Sequence, residues 1–453
     1  MAGLAVLEKA LGREVSGCDV HPSPRTEWLE SLGVRVFAGH SAEHVRGAGL
    51  VVVTPAVRGG TEELESARAS ARVRYRGEVL AEIVSSLDGV SVCGTHGKTT
   101  TATFTAKLLS GLGDDPGWCI GGETGAMPVA FPGSAFSPPG GGRGPFVAEA
   151  DESDGTLALY SSNTLVVNAV DFDHLEHFAG AEAYFDCYRR AVANTRRCVV
   201  ACADHEAALS LACGAKSPAA RLVTFGLGGP PALPDGCTAA FHVCEGDFPE
   251  LRKLVRGDHN VRNALAAAAV AMSRGHPAGA VARALPRAVG ELPDRRFEMV
   301  CESPALGVAV FTDYAHHPAE LACAVGMAAS LGAKRVRVVF QPHRYSRTKA
   351  LLREFPPAFA LADEVVLAPV YPAFEDPLDG GKSEDLLAAF AECAAKGGCG
   401  PARLSKSPEA AWSEVFGTLR PGDVVLIAGA GDIVDILPRI REDMRLAQTR
   451  GKC

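Results

Sequence analysis

The stretch Ser91-Val92-Cys93-Gly94-Thr95-His96-Gly97-Lys98-Thr99-Thr100-Thr101 constrains this chain most. Before it, Gly89 to Cys93 reads as a short buried strand; after it, Thr103 to Leu112 reads as a helix. Strand, glycine turn, Gly-Lys-Thr and helix in that order specify a phosphate-binding loop. The glycines let backbone N–H groups close around phosphate oxygens, Lys98 supplies a cation, and Thr99 offers a hydroxyl to Mg²⁺. The strict G-x-x-x-x-G-K-[ST] spacing is not met: its first glycine would fall at Val92, and the nearest glycine is Gly94. An ordinary glycine-rich turn is the competing reading, and the flanking strand and helix favour nucleotide phosphate.

Strand-like and helix-like runs alternate along the rest of the chain, which implies parallel, doubly wound sheets. Leu4, Leu7 and Leu11 share one face of a helix over residues 2–11. Runs near 14–18, 34–37, 50–54 and 73–75 read as strands, with helices near 26–32, 62–71 and 76–84. The last third alternates again, with strands at 308–312, 336–340, 364–368 and 424–427 and helices at 318–331, 348–360 and 384–395. The glycine- and proline-rich run from Pro132 to Pro145 reads as an exposed linker without chemistry. A chain of 453 residues exceeds one typical core. Three α/β units in series are expected, bounded at 1–87, 88–294 and 295–453.

Composition excludes several classes. The net charge of −8, from 45 basic and 53 acidic residues, argues against a nucleic-acid-binding surface. The longest apolar run, near Leu265 to Met272, is too short to enter a bilayer as a span. Glu8, Lys9 and Arg13 within the first helix are unlike a signal peptide. None of the 14 cysteines forms a C-x-x-C pair, and Cys93, Cys198 and Cys202 lie in apolar runs. Buried, reduced thiols of a cytoplasmic protein are expected, rather than zinc ligands or disulfides.

Polar clusters follow the strands. Glu149 and His174 each sit just past an apolar run, at the edge where a parallel sheet presents ligands. A carboxylate and the Thr99 hydroxyl suit Mg²⁺, although Asp151, Glu152 and Asp154 compete with Glu149 for that role. Asn260 and Asn263 share a helix face and could read a nucleotide, or Asn260 could cap the helix. Asp313-Tyr-Ala-His316-His317-Pro318 and Gln341-Pro-His343-Arg344-Tyr-Ser-Arg347-Thr follow consecutive strands and point to a site for an anionic substrate. Gly429-Ala-Gly431-Asp432 is either an anion-binding turn or tight strand-to-helix packing. Asp19, at a strand end, is a candidate for a ribose or uracil edge, with a helix cap or solvated turn as the alternative.

Taken together, Gly94-Thr-His-Gly-Lys-Thr-Thr-Thr, Glu149-Ala-Asp-Glu-Ser-Asp-Gly, Asp173-His174, His259-Asn-x-x-Asn263 and Arg296 resemble the ATP-site and linker motifs of the Mur ligase family. The two histidine-containing motifs of the last unit are similar to the branch that handles L-alanine. The resemblance implies a UDP-sugar-binding Rossmann-like domain, a central P-loop ATPase domain and a Rossmann-like C-terminal domain that holds the amino acid. It implies ATP-dependent ligation of L-alanine to the lactyl carboxylate of UDP-N-acetylmuramate, through an acyl phosphate, by a monomer or homodimer. It places Gly94, Thr95, His96, Gly97, Lys98, Thr99 and Thr100 at the ATP phosphates and Asn260 and Asn263 at the nucleotide. Arg296 and Asp313 complete that site. Thr99, Glu149 and His174 hold Mg²⁺, which favours Glu149 over Glu152. His316, His343, Arg344 and Arg347 line the alanine and acyl-phosphate region, and Lys98, His174, Asp313, His316, Arg344 and Arg347 take part in catalysis.

The family opens with a strand and a glycine loop that cradles the UDP diphosphate. Here Met1-Ala-Gly-Leu-Ala matches only the segment after it. A weakened N-terminal sheet and poor binding of UDP-N-acetylmuramate by the chain as written are therefore expected.

Overall fold

The computed structural model describes residues 1–453 apart from 22, 55–60, 123, 125–126, 138–143, 173–177, 215–219 and 451–453. Four short strands fall in the first 75 residues: β1 (Ser16–Asp19), β2 (Arg35–Ala38), β3 (Leu50–Val53) and β4 (Arg72–Tyr75). They form two separate parallel ribbons, β1–β2 and β3–β4. The single doubly wound sheet anticipated for this segment is not formed among the described residues, because no ladder joins β1 or β2 to β3 or β4. The helix Ala2–Ala10 does not cover these ribbons alone. Its Leu4 and Leu7 are buried in the core of the central sheet, and a Cβ on Gly3 would meet Cys119 Sγ at 3.1 Å and Ala130 Cβ at 3.3 Å. An apolar helical stripe has to be covered, and the edge of the neighbouring sheet covers it.

The central strands are β5 (Gly89–Cys93), β6 (Gly117–Cys119), β7 (Ala130–Phe131), β8 (Phe146–Glu149), β9 (Thr164–Val167), β10 (Cys198–Cys202), β11 (Arg221–Gly226) and β12 (Ala239–Cys244). Their order is β12-β11-β10-β9-β5-β8-β6-β7, parallel except at β6–β7. Val90, Val92 and Cys93 are fully buried because β5 lies inside the sheet and is covered on both faces. The helices Lys98–Gly111 and Asp258–Ser273 pack together, and the latter presents Ala264 and Ala266–Ala269, all buried. Small side chains let two helix backbones approach closely, and this fixes the ends of both helices beside the glycine turn.

The last strands are β13 (Glu298–Ser303), β14 (Val308–Asp313), β15 (Arg335–Phe340), β16 (Glu364–Leu367), β17 (Ala402–Leu404) and β18 (Asp423–Ala428). Their order is β13-β14-β18-β15-β16-β17, with only β13–β14 antiparallel. Residues 1–293 form one compact unit and 294–453 a second.

Two further expectations change. The single helix anticipated over 348–360 is two short ones, Tyr345–Ala350 and Phe355–Ala358. Pro356 and Pro357 lack the N–H groups that an uninterrupted helix needs, and they sit in the first turn of the second piece instead. The expectation that all cysteines are reduced is also corrected. Cys213 and Cys237 form a disulfide, their Cα atoms 5.5 Å apart across 24 residues of sequence. The tertiary fold brings the helix end to the segment before β12, and no local spacing signals it. Cys93, Cys198 and Cys202 are free and buried.

Candidate active site

The phosphate loop leaves the C-terminal end of β5 and enters its helix at Lys98, five residues earlier than the apolar periodicity indicated. Gly97 is the N-cap with φ +81°, a left-handed conformation that glycine adopts without a Cβ penalty. Space requires glycine too: a Cβ there would lie 2.5 Å from Asn263 Oδ1 and 3.2 Å from Asn168 Nδ2. Gly94 has φ +129°, and a Cβ on it would approach Ala169 O and Asn168 Cβ, each at 2.9 Å. The loop is thus pressed against the end of β9. Thr95 N donates to Ala169 O (2.8 Å), Thr95 Oγ1 donates to Asp171 O (2.7 Å), and His96 Nε2 pairs with Asp171 Oδ2 (3.1 Å). Hydrogen bonds from His205 and His96 hold the Asp171 carboxyl well below the usual range against the opposing effect of burial.

Lys98 is pre-positioned. Its Nζ donates to Gly94 O (2.7 Å), Thr95 O (3.3 Å) and Glu152 Oε1 (2.9 Å). Burial works against its charge, but the carboxylates of Glu152, Asp151 and Glu149 outweigh it and keep the ammonium protonated. Glu152 is therefore the partner of the lysine. Glu149 is the carboxylate at the hydroxyl: Thr99 Oγ1 donates to Glu149 Oε2 at 2.9 Å, and Gly121 N donates to the same oxygen at 2.7 Å. A hard oxygen pair at the mouth of a phosphate loop fits Mg²⁺. His174 and Asp173 lie outside the described residues.

Asn260 is not the helix cap; Gly257 is. Asn260 Nδ2 donates to Arg256 O (3.1 Å) and Asn263 Nδ2 to Asn260 Oδ1 (3.3 Å). Thr101 Oγ1 donates to Asn263 Oδ1 and receives from Asn168 Nδ2, both at 3.0 Å. This buried chain ties the helix Asp258–Ser273 to Thr101 and to the end of β9. Asn168 was not singled out from sequence. Its signal is a polar residue closing an apolar strand at the ligand-bearing edge of a parallel sheet.

In the second unit Asp313 ends β14. It is buried and accepts from Phe297 N and Ala315 N, both at 2.7 Å. Burial, opposed by Arg296, pushes its carboxyl up to about 6. The two bonds pin the segment in which Arg295 and Phe297 adopt positive φ. Arg295, another residue the sequence did not single out, lies over the Tyr314 ring at 4.8 Å and donates to Gly429 O at 2.6 Å. Arg296 also faces Tyr314, at 5.4 Å.

His316 and His343 meet, with ring centroids 5.7 Å apart. His317 is turned to capping, accepting from Ala319 N at 3.3 Å while Pro318 fills the first helical position. His343 stacks on Tyr371 and contacts Arg347 Nη1 at 3.4 Å. Burial and the neighbouring His316, Arg347 and Arg344 lower its imidazole to about 3, so it stays neutral at physiological pH. Arg344 sits at φ +70° ahead of the short helix that carries Arg347. Gly431 resolves as tight packing: a Cβ would lie 2.5 Å from the Tyr371 ring and 2.6 Å from Gln341 Oε1. Asp19 is exposed, and its Oδ1 accepts from His21 N at 3.0 Å, an aspartate turn at the end of β1.

Three family models match successive segments. The Mur ligase family catalytic domain matches residues 1–87, the Mur ligase middle domain 92–271, and the Mur ligase glutamate ligase domain 295–431. A UDP-N-acetylmuramate–L-alanine ligase of Kineococcus radiotolerans is 40% identical, covering 97% of this chain and 93% of its own length. The chain belongs to the Mur ligase family.

A UDP-N-acetylmuramate–L-alanine ligase of Renibacterium salmoninarum is 37% identical over 96% of this chain and 91% of its own. The crystal structure of the UDP-N-acetylmuramate–alanine ligase of Thermotoga maritima superposes with a TM-score of 0.74 at 26% identity, covering 99% of this chain and 97% of that one. A murein peptide ligase from Psychrobacter arcticus shares the Mur ligase fold at 23% identity and a TM-score of 0.69. Lys98, Thr99, Glu149, Asn260 and Asn263 fall in the Mur ligase middle-domain match, and Arg296, Asp313, His316, His343, Arg344 and Arg347 in the last.

Proposed function

We propose that this chain joins L-alanine to the lactyl carboxylate of UDP-N-acetylmuramate, with ATP converted to ADP and phosphate, in peptidoglycan precursor synthesis. One observation carries the reading. The pre-positioned Lys98 and the Thr99–Glu149 pair occupy one phosphate-loop mouth, in a chain 40% identical to a ligase named for this reaction. A carboxylate is a poor acylating agent, so it is first phosphorylated. The γ-phosphoryl group passes from ATP to the lactyl carboxylate, giving an acyl phosphate. The alanine amine attacks its carbonyl, and the tetrahedral intermediate collapses to amide and phosphate.

In this reading the N–H groups of Gly94–Thr100 and the Lys98 ammonium bind the phosphates and offset charge that builds up during transfer. Thr99 and Glu149, with His174, would hold Mg²⁺, which would supply charge neutralisation for phosphoryl transfer. Asn260 and Asn263 orient the nucleotide, with Arg296 and Asp313 assigned to the same substrate. Arg344 and Arg347 bind the acyl phosphate, and His316 and the neutral His343 stand at the alanine. Asp19 is assigned to the UDP moiety. The domains are assigned as 1–87 for UDP-sugar, 88–294 for ATP and 295–453 for the amino acid. No helix among the described residues is long and apolar enough to cross a membrane, and the proposal places the enzyme in the cytoplasm as a monomer or homodimer.

The test is ADP release measured with each substrate omitted in turn and over several amino acids. Release that requires both UDP-N-acetylmuramate and L-alanine is expected. Release without the nucleotide sugar identifies an ATPase or kinase instead, and a preference for glycine or serine overturns the alanine assignment.

A further inference from the structure

A second cluster of ligating side chains lies in the N-terminal segment, on residues to which the proposed ligation assigns no individual role. Cys18 lies in β1, His40 follows β2, His44 lies in the short helix Ala42–Val45, and Glu63 opens the helix Glu62–Ser70. Donor atoms of Cys18, His44 and Glu63 all lie within 4.8 Å of one another. Cys18 Sγ is 3.3 and 3.1 Å from the two Glu63 carboxylate oxygens. His44 Nδ1 is 3.2 Å from Glu63 Oε1. His40 Nδ1 is 2.8 Å from Glu63 Oε2 and 3.5 Å from Cys18 Sγ. The His44 ring is held in place by stacking on Phe37, with centroids 4.4 Å apart and planes 9° apart.

We propose that Cys18, His40, His44 and Glu63 form a structural zinc site. Zinc bonds of about 2.0–2.3 Å in a tetrahedron require ligand atoms about 3.3–3.8 Å apart. The contacts above, 2.8–3.5 Å, are within or slightly under that range. Cys18, His44 and Glu63 therefore need little movement to close on an ion. His40, which touches Cys18 and Glu63 but lies outside that group of three, turns toward it as the fourth ligand. Thiolate, two imidazoles and a carboxylate form a donor set for zinc rather than for Mg²⁺ or Ca²⁺. A thiolate and a carboxylate also balance the charge of the ion. The sequence carries a trace of the site in His40-x-x-x-His44, a spacing typical of zinc-binding histidine pairs.

Without metal, burial and the Glu63 carboxylate raise the Cys18 thiol to about 12, so it is protonated and donates to Glu63. Metal binding then displaces that proton and moves the imidazole protons to Nε2, so affinity increases with pH. The structural consequence follows from topology. β1–β2 and β3–β4 share no ladder, and the ion would cross-link β1 and the turn after β2 to the helix that follows β3.

The test uses the full chain, purified under reductant, stripped with chelator and titrated with Zn²⁺ and Co²⁺. One tightly held ion is expected, with cobalt showing tetrahedral visible bands and a thiolate charge-transfer band. Cys18→Ser should abolish that band. His44→Asn and Glu63→Gln should each weaken zinc binding by more than the roughly 10–100-fold typical of outer-shell partners. Zinc should raise the Tm of the parent and not of Cys18→Ser. Circular dichroism would show whether each variant is folded, and a misfolded Cys18→Ser leaves the parent cobalt spectrum as the deciding measurement. Absence of the thiolate band in the folded parent, or unchanged zinc affinity in folded Cys18→Ser, overturns the proposal.

Discussion

Thr99 Oγ1 donates to Glu149 Oε2 at 2.9 Å, joining the first turn of the phosphate-loop helix to the end of β8. The same carboxylate oxygen accepts from Gly121 N, so its position is set from two sides. The competing Glu152 is held at Lys98. The pair therefore separates two acidic residues only three positions apart into a carboxylate at the Thr99 hydroxyl, the one proposed for Mg²⁺, and a lysine partner. Thr99→Val is expected to lower activity by more than the roughly 10–100-fold typical of residues that only support a metal ligand, and to raise the Mg²⁺ concentration needed for half-maximal rate. Glu149→Gln should act in the same direction, and Glu152→Gln should leave the Mg²⁺ requirement unchanged. Steady-state rates across a Mg²⁺ series check this; a shifted requirement in Glu152→Gln and none in Glu149→Gln would reverse the assignment.

Gly97 is required both for its backbone angle and for space. Gly97→Ala should destabilise the loop by about 1–3 kcal/mol through its positive φ. The clash with Asn263 Oδ1 should also displace the Thr101–Asn263–Asn168 chain. Loss of ATP binding with a modest fall in Tm is expected, by calorimetric titration and thermal melting. Gly113→Ala, also at positive φ but with open space around its Cβ position, is the control and should retain ATP affinity.

A buried and a half-buried group in the last unit give opposite pH dependences. Asp313, pushed up to about 6 from an ordinary 3.8, holds its proton better folded than unfolded. Its contribution is present below about pH 4, falls as pH rises to about 6, and is absent above that. His343, lowered to about 3 from 6.5, resists protonation when folded. Its contribution is present above about pH 6.5 and is lost as pH falls towards 3. The His343→Gln variant should gain stability relative to the parent below pH 6.5, by at most about 1.4 kcal/mol per pH unit. Asp313→Asn should remove the opposite slope. Denaturant melts from pH 4.5 to 8 measure both, and a pH-independent difference between parent and His343→Gln would refute the assigned environment.

The buried inner strands of the two larger sheets were legible because they read as apolar runs, as in Val424–Ile427, whereas their order across the sheet and the strands β6, β7, β11, β12, β13 and β17 were not read from the sequence. The break at Pro356–Pro357 was also present in the sequence, as two residues lacking N–H groups. The division of the first 75 residues into two ribbons was not, since strands of four residues carry no information on their neighbours. Arg295 was passed over because its importance depends on Tyr314 and Gly429, which are distant in sequence.

The sequence by itself determined that a strand, a glycine turn and Gly-Lys-Thr form a phosphate loop, and that polar motifs follow the strands. These follow from local backbone geometry and hydrophobic period. The tertiary structure decided which carboxylate meets Thr99, which histidine caps a helix and which faces its neighbour, and that Cys213 meets Cys237. It also gathered Cys18, His40, His44 and Glu63. Each of those depends on side chains from separate elements reaching hydrogen-bonding or bonding distance, and sequence spacing does not encode that distance.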